Sequence, residues 1–261
     1  MTGMSFKTIE LAIAEGVATL TFNRPDKLNS FTTEMHAEIR EALSAIQADS
    51  SVRCLLITGQ GRGFCAGQDL ADEVAAADIG ATVERDYNPL VRALTTLPMP
   101  VICAVNGIAA GAGANIALAC DIVLAARSAS FIQAFCKIGL VPDSGGTWTL
   151  PRVVGHARAM ALTLLGEKIS AEKAENWGMI WKCVDDAALM PEALQLAKHL
   201  ATQPTKGLAM TKQALHAAAT HTLDQQLDLE RDLQAAAAAS DDFKEGVNAF
   251  LEKRAPVFKG A

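Results

Sequence analysis

Apolar and polar positions along this chain fall into short runs whose period switches between two, the mark of a strand, and about 3.6, the mark of a helix. Residues 9–22 alternate around Glu15-Gly16, which predicts two short strands joined by a turn, the second over residues 17–22. Residues 23–26 end the pair. After Ser30, residues 31–46 set Met35, Ile39, Leu43 and Ile46 on one stripe, an amphipathic helix. Residues 52–58 form a continuous apolar run, a buried strand, that ends in the glycine-rich segment 59–67. Residues 68–80 mix alanine with acidic residues and suit an irregular helix or a lid. Residues 82–97 predict a helix that carries Tyr87, the only tyrosine, beside Asn88 and Pro89.

The stretch 99–146 organises the rest. Its apolar run 100–105 suits a buried strand, Asn106-Gly107 breaks it, Gly111-Ala112-Gly113 follows, and residues 114–119 are helix formers without bulk. The pattern is strand, glycine turn, buried helix. A helix starting at such a turn directs free N–H groups at whatever sits before it, a place for an anion or a developing oxyanion. The same glycines also serve a plain close contact between helix and strand. A membrane span is excluded by Asn106, Asn115, Asp121 and the dense glycine. A dinucleotide fingerprint is excluded too, since the third small residue is missing and Asp121 comes too early.

Further on, residues 122–126 and 129–132 predict strands, residues 145–154 and 157–165 helices, and Ser170 caps another helix. From Met190 strands disappear, and helix periodicity runs through His199, over 206–220 and over 223–254. The first unit, strand, glycine turn and helix, resembles the second, a loose ββα-like recurrence without repeated sequence. Short strands alternating with helices imply α/β layers with parallel pairing.

Composition narrows the function. A chain of 261 residues with 50% hydrophobic and 20% charged residues buries one large core. A net charge of −6 argues against a nucleic-acid surface. The six cysteines form no C-x-x-C pair, and the five histidines show no ligand spacing, so neither a disulfide frame nor a metal site is expected. The N-terminal stretch carries Lys7, Glu10 and Glu15 and no signal-peptide core, which sets the expectation of a cytoplasmic protein with no membrane partner.

Particular runs then match a family. Gly63-Phe-Cys-Ala-Gly-Gln-Asp-Leu70, Asn106-Gly-Ile-Ala-Ala-Gly-Ala-Gly113, Cys120-Asp-Ile122 and Gly139-Leu-Val-Pro-Asp-Ser-Gly-Gly146 resemble the crotonase (enoyl-CoA hydratase/isomerase) superfamily. Arg24-Pro25, Lys27-Leu-Asn29, Ser170-Ala-Glu-Lys-Ala and Trp177-Gly178 extend the resemblance over essentially the whole chain. The runs 128–135, 141–148 and 177–181 are most similar to one group within it, the phenylacetate-pathway 1,2-epoxyphenylacetyl-CoA isomerases. The resemblance implies a crotonase-like spiral of ββα units over residues 1–195 and a C-terminal helical region, residues 196–261, for trimerisation. It also implies a homotrimer or homohexamer and an acyl-CoA thioester as substrate. Coenzyme A being part of the substrate, no separate cofactor is expected.

The resemblance assigns roles by position. A thioester enolate would be stabilised by the backbone N–H groups of Ala66 and Ala112, each at a glycine turn after a strand. Where hydratases of the family carry two glutamates, this chain has Asn115 and Phe135. Phe135 moves no proton, and Asn115 orients a group without acting as a base, which counts against water addition. One carboxylate remains in that segment, Asp143, and burial in an apolar pocket would raise its pKa toward the range useful for proton transfer. Read as a residue alone, Asp143 also suits a cap for the helix near Gly145.

Lys27, Leu28 and Asn29 match a segment along the pantetheine and nucleotide of CoA, although Lys27 equally reads as a solvated loop charge. Gly67, Gln68, Asp69 and Leu70 match the adenine-side wall, with Asp69 alternatively a helix cap. Lys259, after Phe258, matches residues that meet CoA phosphates across a subunit boundary, or else a frayed terminus. Tyr87 reads as a packed aromatic more than a pocket residue, and Asp121, Arg152 and Trp177 as structural.

The leading expectation is therefore an acyl-CoA isomerase that expands an epoxide ring to an oxepin-CoA or shifts enoyl-CoA double bonds. The alternatives are an aspartate-nucleophile aryl-CoA dehalogenase, an enoyl-CoA hydratase and, outside catalysis, an RNA-binding homologue disfavoured by the acidic charge.

Overall fold

The computed structural model describes residues 6–261; residues 1–5, part of the stretch expected to lack a signal core, lie outside them. The alternating segment forms a hairpin, β1 (Ile9–Ala14) and β2 (Val17–Phe22), antiparallel with Ile9 opposite Phe22. Helix α1 (Thr33–Ala48) buries the expected stripe of Met35, Ile39, Leu43 and Ile46. It begins two residues later than the periodicity predicts, because Thr32 caps it by accepting the Met35 N–H. Phe31 instead pairs with Gln68 in an isolated parallel bridge.

The chain then winds in turns, each with a strand in one sheet and a short strand in a second. In the first turn β3 (Cys54–Gly59) is followed by β4 (Gly63–Cys65) and a helical run. That run comprises α2 (Glu73–Ala77), α3 (Ile79–Thr82), a π turn over Val83–Tyr87 and α4 (Asn88–Thr96). The next turn is β5 (Val101–Val105), β6 (Ile108–Ala110) and α5 (Ala112–Leu118). The third is β7 (Ile122–Ala126), β8 (Ser130–Ile132), α6 (Gly146–Val154) and α7 (His156–Leu165). Then come β9 (Lys168–Ser170), α8 (Ala171–Asn176) and β10 (Lys182–Val184).

Among the described residues the larger sheet runs β1-β2-β3-β5-β7-β10 and the smaller β4-β6-β8-β9. Pairing is parallel except at β1–β2 and β8–β9. This is the ββα recurrence. Strands β4 and β6, three residues each, sit in glycine-rich stretches too short to show a period, which is why the sequence presents only strand, glycine turn and helix. Close packing is one use of those glycines: a Cβ on Gly113 would stand 2.4 Å from the Cys65 carbonyl oxygen of β4.

The predicted helix over 82–97 is broken by the π turn. Pro89 has no N–H to offer the Arg85 carbonyl, and the Arg40 guanidinium donates to that carbonyl instead, at 3.2 Å. The wider turn carries Asp86 and Tyr87 into the interior. The C-terminal part is helical, as expected: α9 (Leu189–Ala201), α10 (Thr205–Ala217), α11 (Leu223–Ala238) and α12 (Asp241–Glu252). The single helix read over 223–254 is two, divided at Ser240, whose hydroxyl accepts the Phe243 N–H. Helix α9 packs on β2, β3, β5 and β7, so the 195/196 boundary falls inside an element of the core. Helix α10 is tied to the core by Lys212, which donates to the Leu94 carbonyl at 2.7 Å and pairs with Asp121 at 2.9 Å. Asp121 is thus structural, as read.

Candidate active site

A cavity of about 320 Å³ opens where the first turn of the spiral meets the second. One wall is residues 66–70, after β4. A second is Gly111 and Ala112 at the start of α5. A third is Ala134, Phe135 and Asp143, and the fourth is Ala75, Ile79, Thr82, Val83 and Tyr87. Most of this lining is apolar, and Lys137 stands among it as an exposed cation.

The segment 66–70 is pinned from both sides. Gly67 accepts the Phe31 N–H at 2.7 Å and Asp69 donates its N–H to the Phe31 carbonyl at 2.9 Å. A parallel bridge of this form turns the Gln68 N–H the other way, and among the described residues that N–H has no partner in the chain. Gly67 adopts φ +90, and a Cβ there would stand 2.9 Å from the Ala110 carbonyl oxygen and 3.6 Å from the Ala112 nitrogen. The glycine brings this segment against the start of α5. Ala112 is the first residue of that helix, so its N–H has no intrahelical acceptor either.

The expected partner of Ala112 was Ala66, and here the structure corrects the sequence. The Ala66 N–H donates to the Leu28 carbonyl at 3.0 Å and is spent on scaffold. The free N–H on this wall belongs to Gln68, two residues on. Its side chain accepts the Tyr87 hydroxyl at 2.6 Å, so Tyr87 is both the packed aromatic expected and part of the cavity wall. Asn88 does not line the cavity; it donates to Glu84 at 2.6 Å.

Asp143 is half-buried, on the cavity, and does not cap α6. Gly145 occupies the cap position, and the Asp143 carboxylate accepts the Ser144 hydroxyl at 2.9 Å. Burial pushes its pKa above the ordinary carboxylate value, and the Ser144 hydrogen bond only partly offsets this. The turn that presents it is strained, with Ser144 at φ +51.

Phe135 is on the wall, its ring beside Gly111. Asn115 is not. It is buried behind the wall, where it donates to the Asp143 carbonyl at 2.9 Å and accepts from Gln133 at 2.8 Å. Gln133, fully enclosed, is a polar contributor that no motif marks; its one signal in the sequence is a lone amide directly after a strand, among apolar neighbours.

The remaining candidates separate. Asp69 lines the cavity, yet its carboxylate is held by Arg24 at 2.8 Å and accepts the Ala71 N–H, while Asp72 caps α2 in its place. The Arg24 guanidinium holds Asp69 below the usual carboxylate range. Leu70 is an exposed lip. Asn29 is fully buried and bonded to Arg24, Gln60 and Gly63, so it braces the loop and offers nothing to a ligand. Leu28 packs on Gly63, and Lys27 is exposed on the same loop; neither lines the cavity. Lys259 lies apart, its N–H on Asp242 of α12 at 2.7 Å. Arg152 stacks on Trp148, while Arg158 and Lys173 cover Trp177. Among the described residues no cluster of three or more His, Cys, Asp or Glu stands ready for a metal ion, and no helix is long and apolar enough to cross a membrane.

Known proteins resemble this chain in sequence and in fold. The family model for enoyl-CoA hydratase/isomerase matches residues 12–261. The chain is 62% identical over 253 residues to the 1,2-epoxyphenylacetyl-CoA isomerase of Escherichia coli, covering 95% of this chain and 97% of that protein. It is 38% identical over 244 residues to the 2,3-dehydroadipyl-CoA hydratase of the same organism, covering 94% and 95%. The crystal structure of an enoyl-CoA hydratase from Bacillus anthracis superposes with a TM-score of 0.91 at 31% identity, over 98% of this chain and 100% of that one.

Proposed function

This chain belongs to the enoyl-CoA hydratase/isomerase family, and from that premise we propose that it is an acyl-CoA isomerase, converting ring-1,2-epoxyphenylacetyl-CoA to an oxepin-CoA and shifting double bonds of enoyl-CoA thioesters. One observation carries the reading. A single carboxylate with a raised pKa, Asp143, faces the same cavity as two unspent backbone N–H groups, on Gln68 and Ala112.

In this reading the thioester oxygen accepts both N–H groups, which stabilise the enolate charge; losing one such donor costs about 3 kcal/mol of transition-state binding. The Asp143 carboxylate takes a proton from the carbon next to the thioester carbonyl. The electron pair moves toward the oxygen and the π bond shifts, and the same carboxyl returns the proton further along the acyl group. No atom is gained or lost, so one carboxylate suffices and no separate cofactor is called for. Hydration needs a positioned, deprotonated water, and the groups available beside Asp143 are a phenyl ring at Phe135 and an amide at Asn115 turned away from the cavity. The 62% identity to a 1,2-epoxyphenylacetyl-CoA isomerase supports the substrate.

The test is an assay of cis-3-enoyl-CoA, trans-2-enoyl-CoA and ring-1,2-epoxyphenylacetyl-CoA, following isomerisation and hydration together. Isomerisation without hydration is expected, with Asp143→Asn slower by roughly 10²–10⁴-fold. Rapid hydration, full activity of Asp143→Asn, or a covalent aryl adduct on Asp143 would overturn the reading. Assembly as a homotrimer or homohexamer in the cytoplasm belongs to the same proposal. Association of the C-terminal helices with another copy is supported by the exposed Phe243, Phe250 and Leu251, which border a groove of about 660 Å³ there.

A further inference from the structure

The side chains of Asn115 and Gln133 lie behind the cavity, at 1% and 2% exposure, and their hydrogen bonds reach its lining at Asp143. Its hydrogen bonds run in one direction. The Asp143 carbonyl can only accept, so Asn115 must turn its Nδ2 toward it. That leaves Asn115 Oδ1 facing Gln133, which must then present Nε2. The chain of donors ends at Gln133 Oε1, buried and without a partner among the described residues. An enclosed acceptor without a partner is costly, and the need of the Asp143 carbonyl for a donor is what imposes it.

The cost coincides with strain. Asp143 leads into Ser144 and Gly145, both at positive φ, and Asn115 grips the carbonyl at the start of that turn. Gly146 lies so close to the Asn115 amide that a Cβ there would stand 2.3 Å from Nδ2. Asn115 itself belongs to α5, the helix that carries Ala112.

We propose that Asn115, held by Gln133, is a positioning residue that fixes the Asp143 turn relative to the Ala112 N–H, and that this task requires an amide at position 115. A carboxylate there has no N–H for the Asp143 carbonyl. The proposal rests on the reading of Asp143 as the proton-carrying group.

Three variants test it, with cis-3-enoyl-CoA as substrate. Asn115→Leu keeps the size and removes the donor. Its kcat should fall about 100-fold, as expected for a reacting group displaced by about an ångström, while KM stays within about threefold. Asn115→Asp can donate only when protonated, so its pH–rate profile should gain a falling limb at a pH where the parent shows none. Circular dichroism at both ends of the range should be unchanged. The third variant, Asp143→Asn, isolates the premise. If it stays active, the reading of Asp143 fails. If it is inactive while Asn115→Leu keeps kcat within threefold, or while Asn115→Asp follows the parent profile, the positioning role fails alone. Should Asn115→Leu not fold, the Asn115→Asp profile decides.

Discussion

Acid should weaken the wall behind Tyr87 through one histidine. His36 of α1 is buried, stacked on Phe31 at 4.9 Å and edge-on to Tyr87 at 4.4 Å, and its Nε2 has no partner among the described residues. Burial lowers its pKa from 6.5 to about 4, against the attraction of Asp86, because that carboxylate is already engaged by Arg40 and Arg85. A base whose pKa is depressed on folding binds its proton more tightly in the unfolded chain. Stability is therefore full above pH 6.5, falls as the pH drops toward 4, and levels off below. The difference of 2.5 units amounts to about 3 kcal/mol in total, and about 2 kcal/mol of it is lost between pH 7 and pH 5. Urea unfolding at fixed protein concentration, at pH 7 and pH 5, measures this for the parent and for His36→Leu. Other groups titrate in that window, so the informative quantity is the difference between the two proteins: the variant should lose about 2 kcal/mol less on acidification. Equal losses, or an imidazole signal from His36 that titrates near its ordinary value, would refute the argument.

Two further outcomes follow from the geometry. Gly67→Ala puts a methyl group 2.9 Å from the Ala110 carbonyl oxygen at φ +90, so it should cost about 1–2 kcal/mol of stability and displace the Gln68 N–H. Steady-state kinetics should then show kcat down by roughly 100-fold with a smaller change in KM. Lys212→Met removes the ammonium from the mostly covered Asp121 carboxylate, leaving the Val101 N–H on it and His216 nearby, and should destabilise by about 3 kcal/mol in urea melts. Adding Asp121→Asn should recover part of that loss, which a double-mutant cycle measures.

Much of the fold is legible because it is local. The hairpin of β1 and β2, the buried strands β3, β5 and β7, and the stripe on α1 each follow from a period and a cap. The π turn was not, because it depends on Pro89 freeing a carbonyl that Arg40, on another helix, then takes up. The three-residue strands β4, β6, β8 and β9 carry too few positions for any period and exist through the partners that they pair with. The site divides in the same way. Asp143, Phe135, Gln68 and Ala112 stand out in the sequence and meet on one cavity; Ala66 lines it too but spends its N–H on Leu28, and Asn29 and Asn115 are braces.

What the sequence determined by itself was the order of elements, the glycine turns, the family and the presence of a single carboxylate where hydratases have two. These depend on residue type and spacing along the chain. What tertiary structure alone decided was which groups remain available for chemistry. A backbone N–H at a glycine turn looks the same in sequence whether or not a carbonyl waits for it. Leu28 waits for Ala66, and among the described residues nothing waits for Gln68. An amide close to Asp143 looks ready to meet substrate until the Asp143 carbonyl and Gln133 are found to hold both its ends. Hydrogen-bonding capacity is finite, and only the folded chain reveals where it has already been used.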